Sequence, residues 1–305
     1  MDHPHICVLG SITLDILFRM SRFPVPGETL FANEYAVLPG GKGLNQAIAA
    51  ARLGARASLI GRVGADAFGD LLLATAAADA VDTAAVVRDP VTATGMAIPI
   101  VVPSGDNAIL ASGGANLAVT TGDIEAAADA IRASAMLLLQ FETPAASVTA
   151  AIATARAAGV PVLLNPAPVR EFDHALLRDV DVLVVNEVEA AMLVPGAGDH
   201  AAEATALVAL GPRLAVVTLG PAGGFHATRG GARATPFAAF PAHVVDTVGA
   251  GDSFCGALAV ALAEGRETAD AIRFASASAA ITVTRAGAAP AMPARVEVEA
   301  LLARG

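Results

Sequence analysis

The sequence predicts an α/β protein with a mainly parallel central sheet that is covered by helices on both faces. Short apolar runs recur along the chain, as expected for parallel strands buried on both faces. These runs are residues 6–9, 57–60, 136–141, 160–164, 182–185 and 214–219. Alanine-rich, helix-like stretches separate most of them, including 45–53, 145–157 and 203–210, and a further one covers 253–263. Alternation of strand and helix is typical of this fold class.

Two segments interrupt this alternation. Residues 12–38 mix β-like and turn residues, among them Phe23-Pro-Val-Pro-Gly27. Residues 92–111 indicate two short strands, 96–102 and 107–110, around the turn Pro103-Ser-Gly-Asp106. Together the two segments predict a small β flap over the edge of the sheet where ligands bind. We see no linker or internal repeat, so residues 1–305 are expected to form a single domain.

The composition favours a small-molecule protein over one that binds nucleic acid or membranes. The net charge is −10 without a basic cluster, and the chain has no Trp, which disfavours nucleic acid as a partner. The apolar runs are far shorter than the roughly 20 residues of a spanning helix, and the start Met-Asp-His-Pro-His does not resemble a secretion signal. We therefore expect a cytoplasmic protein. The two cysteines are expected to be buried and free, and the six scattered histidines to be structural or solvated.

Polar residues follow several of the predicted strands. They are Gln140-Phe-Glu142, Asn165, Asn186-Glu187 and Thr218-Leu-Gly220. In open α/β sheets ligands bind beyond the carboxyl ends of the strands, so these positions are candidate site residues. For each of them, a helix cap or a turn is the alternative interpretation.

The segment Val245–Gly256 carries the strongest chemical signal. Gly249, Ala250 and Gly251 lead into an apolar helix, and small residues there let backbone amides approach an anion at the positive end of the helix dipole. Asp252 stands in the same turn. Its carboxylate could accept a proton from an attacking hydroxyl while the amides stabilise a transferring phosphoryl group. The residue types leave an equal alternative, in which Asp252 only caps the helix.

A second glycine segment, Pro39–Gln46, opens another predicted helix. It is not a P-loop, because Gly43 rather than Ser or Thr follows Lys42, and Phe254 excludes a dinucleotide fingerprint in the first segment. An ATP-dependent enzyme would therefore use a different phosphate site. Asn45 can both donate to and accept from hydroxyls. Asp15 is suited to two neighbouring sugar hydroxyls, although a capping or solvated role is the alternative.

Both glycine segments resemble the two signature regions of the ribokinase-like (PfkB) carbohydrate kinase family. The resemblance extends over essentially the whole chain, through the segments 10–15, 23–29, 140–144, 165–168, 186–189 and 218–220. It implies a three-layer α/β/α sandwich with a small β-sheet lid built from about 12–38 and 92–111. It also implies ATP-dependent phosphorylation of a primary hydroxyl of a pentose, ribose above all. A nucleoside or other sugar kinase is the alternative within the family, and a catalytically silent sugar-binding protein is the alternative outside catalysis.

The resemblance also implies a role for each matching residue. Asp252 would be the catalytic base, and the amides of Gly249, Ala250, Gly251 and Asp252 the anion hole. The sugar would contact Thr13, Asp15, Gly41, Lys42, Gly43, Asn45 and Glu142. The nucleotide would contact Asn186, Thr218, Gly220, Gly223, Gly251 and Ser276, with Glu189 reaching Mg²⁺ through water. A potassium ion would be held, mostly by carbonyl oxygens, at Asp246, Val248, Thr282, Arg285, Gly287 and Ala291. A homodimer formed through the lid is the family expectation.

The chain departs from the family's ribokinases at two of these positions. They have Asn where this chain has Thr13, and tend to have a hydroxyl residue where it has Ala291. We therefore expect Thr13 to influence which sugar is accepted and Ala291 to weaken potassium dependence slightly.

Overall fold

The computed structural model describes residues 3–104 and 106–304, which form fourteen strands and ten α-helices. The strands are β1 His5–Leu9, β2 Thr13–Arg19, β3 Glu34–Gly40, β4 Arg56–Gly64, β5 Val81–Asp82, β6 Val86–Asp89, β7 Gly95–Val101, β8 Asn107–Ser112, β9 Met136–Gln140, β10 Val162–Asn165, β11 Val182–Asn186, β12 Leu214–Thr218, β13 Gly224–Thr228 and β14 Thr235–Phe237. The helices are α1 Lys42–Arg52, α2 Ala67–Ala78, α3 Thr121–Ala126, α4 Ala128–Arg132, α5 Ala145–Ala158, α6 Glu187–Leu193, α7 His200–Ala209, α8 Ala250–Ala263, α9 Thr268–Thr282 and α10 Arg295–Leu302. The predicted strands and helices are thus found, with ends that differ by a few residues.

Nine strands of the central sheet lie in the order β14-β13-β12-β11-β10-β9-β1-β4-β5, and β6 also pairs with β4. The pairs from β5 to β12 are parallel, and only β13 and β14 run antiparallel to their neighbours. Parallel neighbours need crossover connections, and the helices supply most of them. The mainly parallel sheet that the sequence predicts is confirmed.

Side chains of β1 show how the sheet is covered on both faces. Ile6 and Val8 face the core that contains residues of α1, α8, α9 and α10. Cys7 and Leu9 alternate with them and face the core that contains residues of α4, α5 and α7. Because successive side chains of a strand point to opposite faces, a strand between two helical layers is apolar throughout. The three-layer α/β/α architecture is therefore confirmed.

A separate four-stranded sheet has the order β3-β2-β7-β8. The chain leaves the central sheet after β1, and the next strand, β2, pairs antiparallel with β3 and parallel with β7. Strands β7 and β8 form an antiparallel pair. The turn predicted at residues 103–106 includes Gly105, which lies outside the described residues. This small sheet places Thr13 and Asp15 beside the first turn of α1.

Candidate active site

Asp252 lies in the first turn of α8 and is buried, with 7% of its surface exposed. Its carboxylate does not cap the helix, since the N-cap position is Gly249 and no side chain caps that end. Instead Asn45 Nδ2 donates to Asp252 Oδ2 over 2.9 Å, and Gln46 Nε2 donates to Oδ1 over 2.9 Å. The helix-cap alternative is therefore wrong, and the carboxylate is held by α1.

The structure brings two glutamines to the site, Gln46, to which the sequence interpretation gave no role, and Gln140, which it offered only as a polar residue at the end of a strand. Gln46 is fully buried beside Asp252, and Gln140, also fully buried at the end of β9, donates from Nε2 to Gln46 Oε1 over 2.6 Å. They are the only glutamines of the chain. This rarity is a signal in the sequence, but it does not indicate that β9 and α1 bring the two side chains together.

The small residues before Asp252 form the N-terminus of α8. Gly249 has a left-handed backbone with φ 79°, and a Cβ there would lie 2.8 Å from Ala288 Cα. Glycine is therefore required by both conformation and space. Ala250 and Gly251 follow in the first turn. The Ala250 amide donates to Thr247 O over 3.3 Å, whereas the amides of Gly251 and Asp252 have no i−4 partner at this helix end. These amides can bind an anion next to the Asp252 carboxylate.

Asp15 and Glu142 place two further carboxyl groups near Asp252. Thr13 Oγ1 donates to Asp15 Oδ1 over 3.3 Å. Burial raises the pKa of Asp15 to about 6, opposed by the Thr13 hydrogen bond and reinforced by the charges of Glu142 and Asp252. Glu142 Oε2 accepts a hydrogen bond from Ser11 Oγ, and the Lys42 amide donates to the same oxygen over 3.4 Å. Neither the cap nor the solvated interpretation of Asp15 applies.

Lys42, the only lysine of the chain, supplies the positive charge of this site. Burial by itself would lower the pKa of its ammonium group, but the charges of Asp252, Glu142 and Glu189 outweigh burial and raise it. Lys42 therefore stays protonated at neutral pH. It lines a cavity of about 250 Å³ together with Asp252, Gly249 and Gly251.

The second glycine segment forms the N-terminus of α1. Gly41 is the N-cap residue, and its φ of 91° and a distance of 2.7 Å from an added Cβ to the Ser11 carbonyl oxygen both require glycine. Gly43 lies in the following turn, where the Leu44 amide donates to Ser11 O over 3.0 Å. Asn45 Oδ1 is buried without a hydrogen-bond partner. A buried acceptor of this kind is costly unless a ligand satisfies it.

Asn186 at the end of β11, Glu189 on α6 and Thr218 at the end of β12 line the same cavity. Asn186 Oδ1 accepts from the Glu189 amide over 2.8 Å, and Glu189 Oε2 accepts from the Asn186 amide over 2.9 Å. Asn186 is therefore a helix cap, as the alternative interpretation held. This capping box engages one carboxylate oxygen of Glu189, and the side chain as a whole still lines the cavity.

The remaining nucleotide-site candidates are less closely grouped. Gly220 begins the short turn after β12, and the Gly223 carbonyl closes that turn by accepting from the Leu219 amide over 2.8 Å. Ser276 lies on α9 with a buried hydroxyl that has no hydrogen-bond partner. It is not among the residues that line the cavity around Asp252.

Two of the candidates for a potassium site, Val248 and Gly287, hydrogen-bond to a third, Asp246. Its Oδ1 accepts from the Val248 amide over 3.0 Å and its Oδ2 from the Gly287 amide over 2.9 Å, so the loop before α8 is tied to the loop after α9. Thr282 is buried, and its carbonyl oxygen already accepts from the Arg285 amide over 3.1 Å. The Arg285 side chain pairs with Glu297. Ala291 is buried in the short turn Ala289–Ala291.

Comparisons with known proteins agree with this geometry. Residues 3–295 match the pfkB family of carbohydrate kinases. The chain is 38% identical over 299 residues to a ribokinase of Bacillus subtilis, covering 98% of this chain and 99% of that protein. It is 34% identical over 293 residues to a deoxyribokinase of Salmonella typhi, covering 94% and 95%. The structure of an Arabidopsis thaliana ribokinase complexed with ribose and ATP superimposes with a TM-score of 0.93 at 33% identity, covering 99% of both chains.

The chain therefore belongs to the pfkB family of carbohydrate kinases. It is an ATP-dependent sugar kinase, a phosphotransferase that acts on an alcohol group. The fold, the family and the enzyme class predicted from the sequence are confirmed. Among the described residues, no helix combines the length and apolarity needed to cross a membrane.

Proposed function

We propose that this enzyme transfers the γ-phosphoryl group of MgATP to a primary hydroxyl of ribose. The observation that carries the proposal is the buried Asp252 carboxylate at the N-terminus of α8. The side-chain amides of Asn45 and Gln46 on α1 orient it, and it lines a cavity that Lys42 also lines. Such a carboxylate can take the hydroxyl proton as the oxygen attacks phosphorus. The amides of Gly249 to Asp252 and the Lys42 ammonium then stabilise the charge on the transferring group.

The sugar is placed between α1 and the small sheet. Asp15 and Glu142 offer carboxylate oxygens to neighbouring hydroxyls, Asn45 Oδ1 offers the buried acceptor that lacks a partner, and the backbone of Gly41 and Gly43 allows close approach. Thr13 lies beside Asp15 and would contact the same ligand. The small sheet would act as a lid that excludes water and so limits hydrolysis of ATP.

The nucleotide is placed on the other side of the cavity, against Asn186, Thr218 and the turn Gly220–Gly223, with Ser276 near the base. When bound, Mg²⁺ would neutralise phosphate charge. Mg²⁺ usually keeps several waters and is held by one or two carboxylates plus substrate phosphates. Glu189, a single carboxylate that lines the cavity and is half engaged by its capping box, fits a water-mediated contact of this kind.

We also propose a potassium ion beside the anion hole. The carbonyl groups at Asp246, Val248, Arg285, Gly287 and Ala291 belong to two loops that the structure ties together, which fits a cation held by main-chain oxygens. Thr282 fits less well, because the Arg285 amide already uses its carbonyl oxygen. Turnover measured in K⁺ and in an organic cation too large for a carbonyl cage would test this part, and equal rates would contradict it.

The reaction is tested with a panel of acceptors and one base variant. ATP consumption is measured with ribose, deoxyribose, other pentoses, hexoses and nucleosides, and ribose is expected to give the highest kcat/KM. Asp252→Asn should lower kcat by about 10²- to 10⁴-fold while sugar binding is retained. Near-normal turnover of this variant would contradict the base assignment. A preference for nucleosides over every free sugar would favour the nucleoside-kinase alternative.

Deoxyribose is the specific rival substrate, because one relative is a deoxyribokinase at nearly the same identity. Thr13 is the position to test, since its hydroxyl bonds to Asp15 and a longer side chain there would reach further into the sugar site. Thr13→Asn is expected to raise the ratio of kcat/KM for ribose over deoxyribose. An unchanged ratio would show that Thr13 does not select the sugar.

The small sheet is also proposed to join two subunits in a homodimer. Its strands β3 and β8 expose Tyr35, Val37, Ile109 and Leu110, and Phe31 before β3 is 86% exposed. Apolar side chains and unpaired edges of this kind favour association. Sedimentation of the wild-type chain should show a dimer and that of Tyr35→Glu a monomer, whereas a monomeric wild-type chain would contradict the proposal. We place the enzyme in the cytoplasm, which cell fractionation would test.

A further inference from the structure

The catalytic carboxylate is connected to a directional chain of buried amides. Gln140 Nε2 donates to Gln46 Oε1 over 2.6 Å, and Gln46 Nε2 donates to Asp252 Oδ1 over 2.9 Å. Both glutamines have no exposed surface, and they come from different elements, β9 and α1. We call this connection, from Gln140 through Gln46 to Asp252, the amide relay.

The donors in the relay can point in one direction only. An ionised carboxylate accepts hydrogen bonds and cannot donate, so Gln46 must turn its NH₂ group toward Asp252. Its carbonyl oxygen then faces Gln140, which must turn its own NH₂ group toward Gln46. Gln140 thereby prevents the amide of Gln46 from flipping, because a flip would bring a carbonyl oxygen against the carboxylate and an NH₂ group against another NH₂ group.

We propose that Gln46 and Gln140 are positioning residues that hold the Asp252 carboxylate in the orientation in which it meets the attacking hydroxyl. The inference rests on the proposed role of Asp252 as the base. A hydrogen bond donated to the ionised form of an acid favours that form, and a buried relay strengthens this effect because water cannot replace the donors. The second oxygen is held in the same way by Asn45 Nδ2.

The composition of the chain supports a dedicated role. These are the only two glutamines among 305 residues, and both belong to one buried series of hydrogen bonds that ends at the Asp252 carboxylate. Gln140 Oε1 is buried without a hydrogen-bond partner, so this arrangement includes one unsatisfied polar atom, which destabilises the folded state. An apolar pair would fill the same space without that cost.

The pH dependence of the reaction tests the relay. The groups that face Asp252 from other elements are Lys42 on α1, Asp15 on β2 and Glu189 on α6, and Cys255 lies near it on α8. These groups are unchanged in Gln46→Met, which keeps the side-chain length and removes the donor. We expect kcat to fall about 10- to 100-fold and the acid limb of kcat/KM to move to higher pH, while KM for the sugar changes little.

Two further variants make the test specific. Gln140→Met leaves Gln46 in place but lets its side-chain amide flip, so the acid limb of kcat/KM should shift in the same direction by a smaller amount. If Gln46→Met does not fold, this variant tests the relay instead. Ser147→Ala removes one buried hydrogen bond, to Val119 O, on the opposite face of the sheet. This control should lower thermal stability without moving the pH profile.

The outcomes separate the relay from the proposed function. If Asp252→Asn is inactive but Gln46→Met and Gln140→Met give wild-type pH profiles, the relay is overturned and the base assignment stands. If Asp252→Asn turns over normally, the base assignment fails, and the relay fails with it. If Ser147→Ala shifts the acid limb as far as Gln46→Met does, the shift reflects general loosening and the relay is overturned.

Discussion

Replacing Asp15 by asparagine should remove a pH-dependent destabilisation of the folded enzyme. The pKa of Asp15 is raised from 3.8 to about 6, first by burial and then by the charges of Glu142 and Asp252. One pKa unit corresponds to about 1.4 kcal/mol, so the ionised side chain destabilises the folded, sugar-free state by about 3 kcal/mol. In the unfolded chain Asp15 loses its proton near pH 4, whereas in the folded chain it does so near pH 6. Stability contributed by the protonated group is therefore lost as the pH rises from about 4 to about 6.

The free energy of unfolding of wild type and Asp15→Asn, measured by urea titration at about pH 4 and pH 7, gives this quantity directly. The stability of the variant relative to wild type should increase by about 2.5 kcal/mol between the two pH values, since the unfolded-state group is already partly ionised at pH 4. Asp129→Asn, which alters a side chain that is 98% exposed, serves as the matched control and should show no such increase. Parallel pH curves for Asp15→Asn and wild type would refute the reasoning. The destabilising carboxylate has a use in the enzyme, because its ionised oxygens can accept hydrogen bonds from sugar hydroxyls.

Three further predictions follow from contacts around the two glycine segments. Gly249→Ala places a Cβ 2.8 Å from Ala288 Cα at a φ of 79°. We therefore expect a loss of about 2 kcal/mol in stability together with a lower kcat. Unchanged thermal unfolding and turnover would contradict this. Arg52 Nη1 donates to the Ala289 and Met292 carbonyl oxygens over 3.0 and 2.8 Å. Arg52→Ala should therefore cost about 3 kcal/mol in urea unfolding, and a loss below about 0.5 kcal/mol would show that these carbonyls find other partners. Lys42→Met removes the only lysine and should lower kcat/KM at least about 100-fold in a coupled ADP assay, which full activity would contradict.

Local sequence signals predicted most of the fold because the physical reasons for them are local. A strand buried on both faces must be apolar throughout, so 136–141 and 182–185 could be recognised without any partner. A helix that begins at an anion site needs small residues at its start, so the segment at Gly249 could be recognised as well. The family was predicted from a resemblance that includes both glycine segments and several further segments along the chain, among them 140–144 and 186–189.

Residue type alone left the role of Asp252 undecided between a base and a helix cap. A carboxylate in the first turn of a helix can serve either purpose, and the two differ only in which donors reach its oxygens. Those donors, on Asn45 and Gln46, are more than 200 positions away in the chain. Their approach depends on the packing of α1 against α8, which no local pattern encodes.

The sequence by itself determined the alternation of apolar strands and helices, the two glycine segments and the class of enzyme. Only the tertiary structure decided that Asn186 caps α6, that Asp15 and Glu142 share one site with Lys42, and that Gln140 reaches Asp252 through Gln46. The physical reason is that apolar periodicity and backbone conformation are set by near neighbours. The hydrogen bonds and charges that define the site instead join side chains from β2, α1, β9 and α8, which meet only when the sheet is complete.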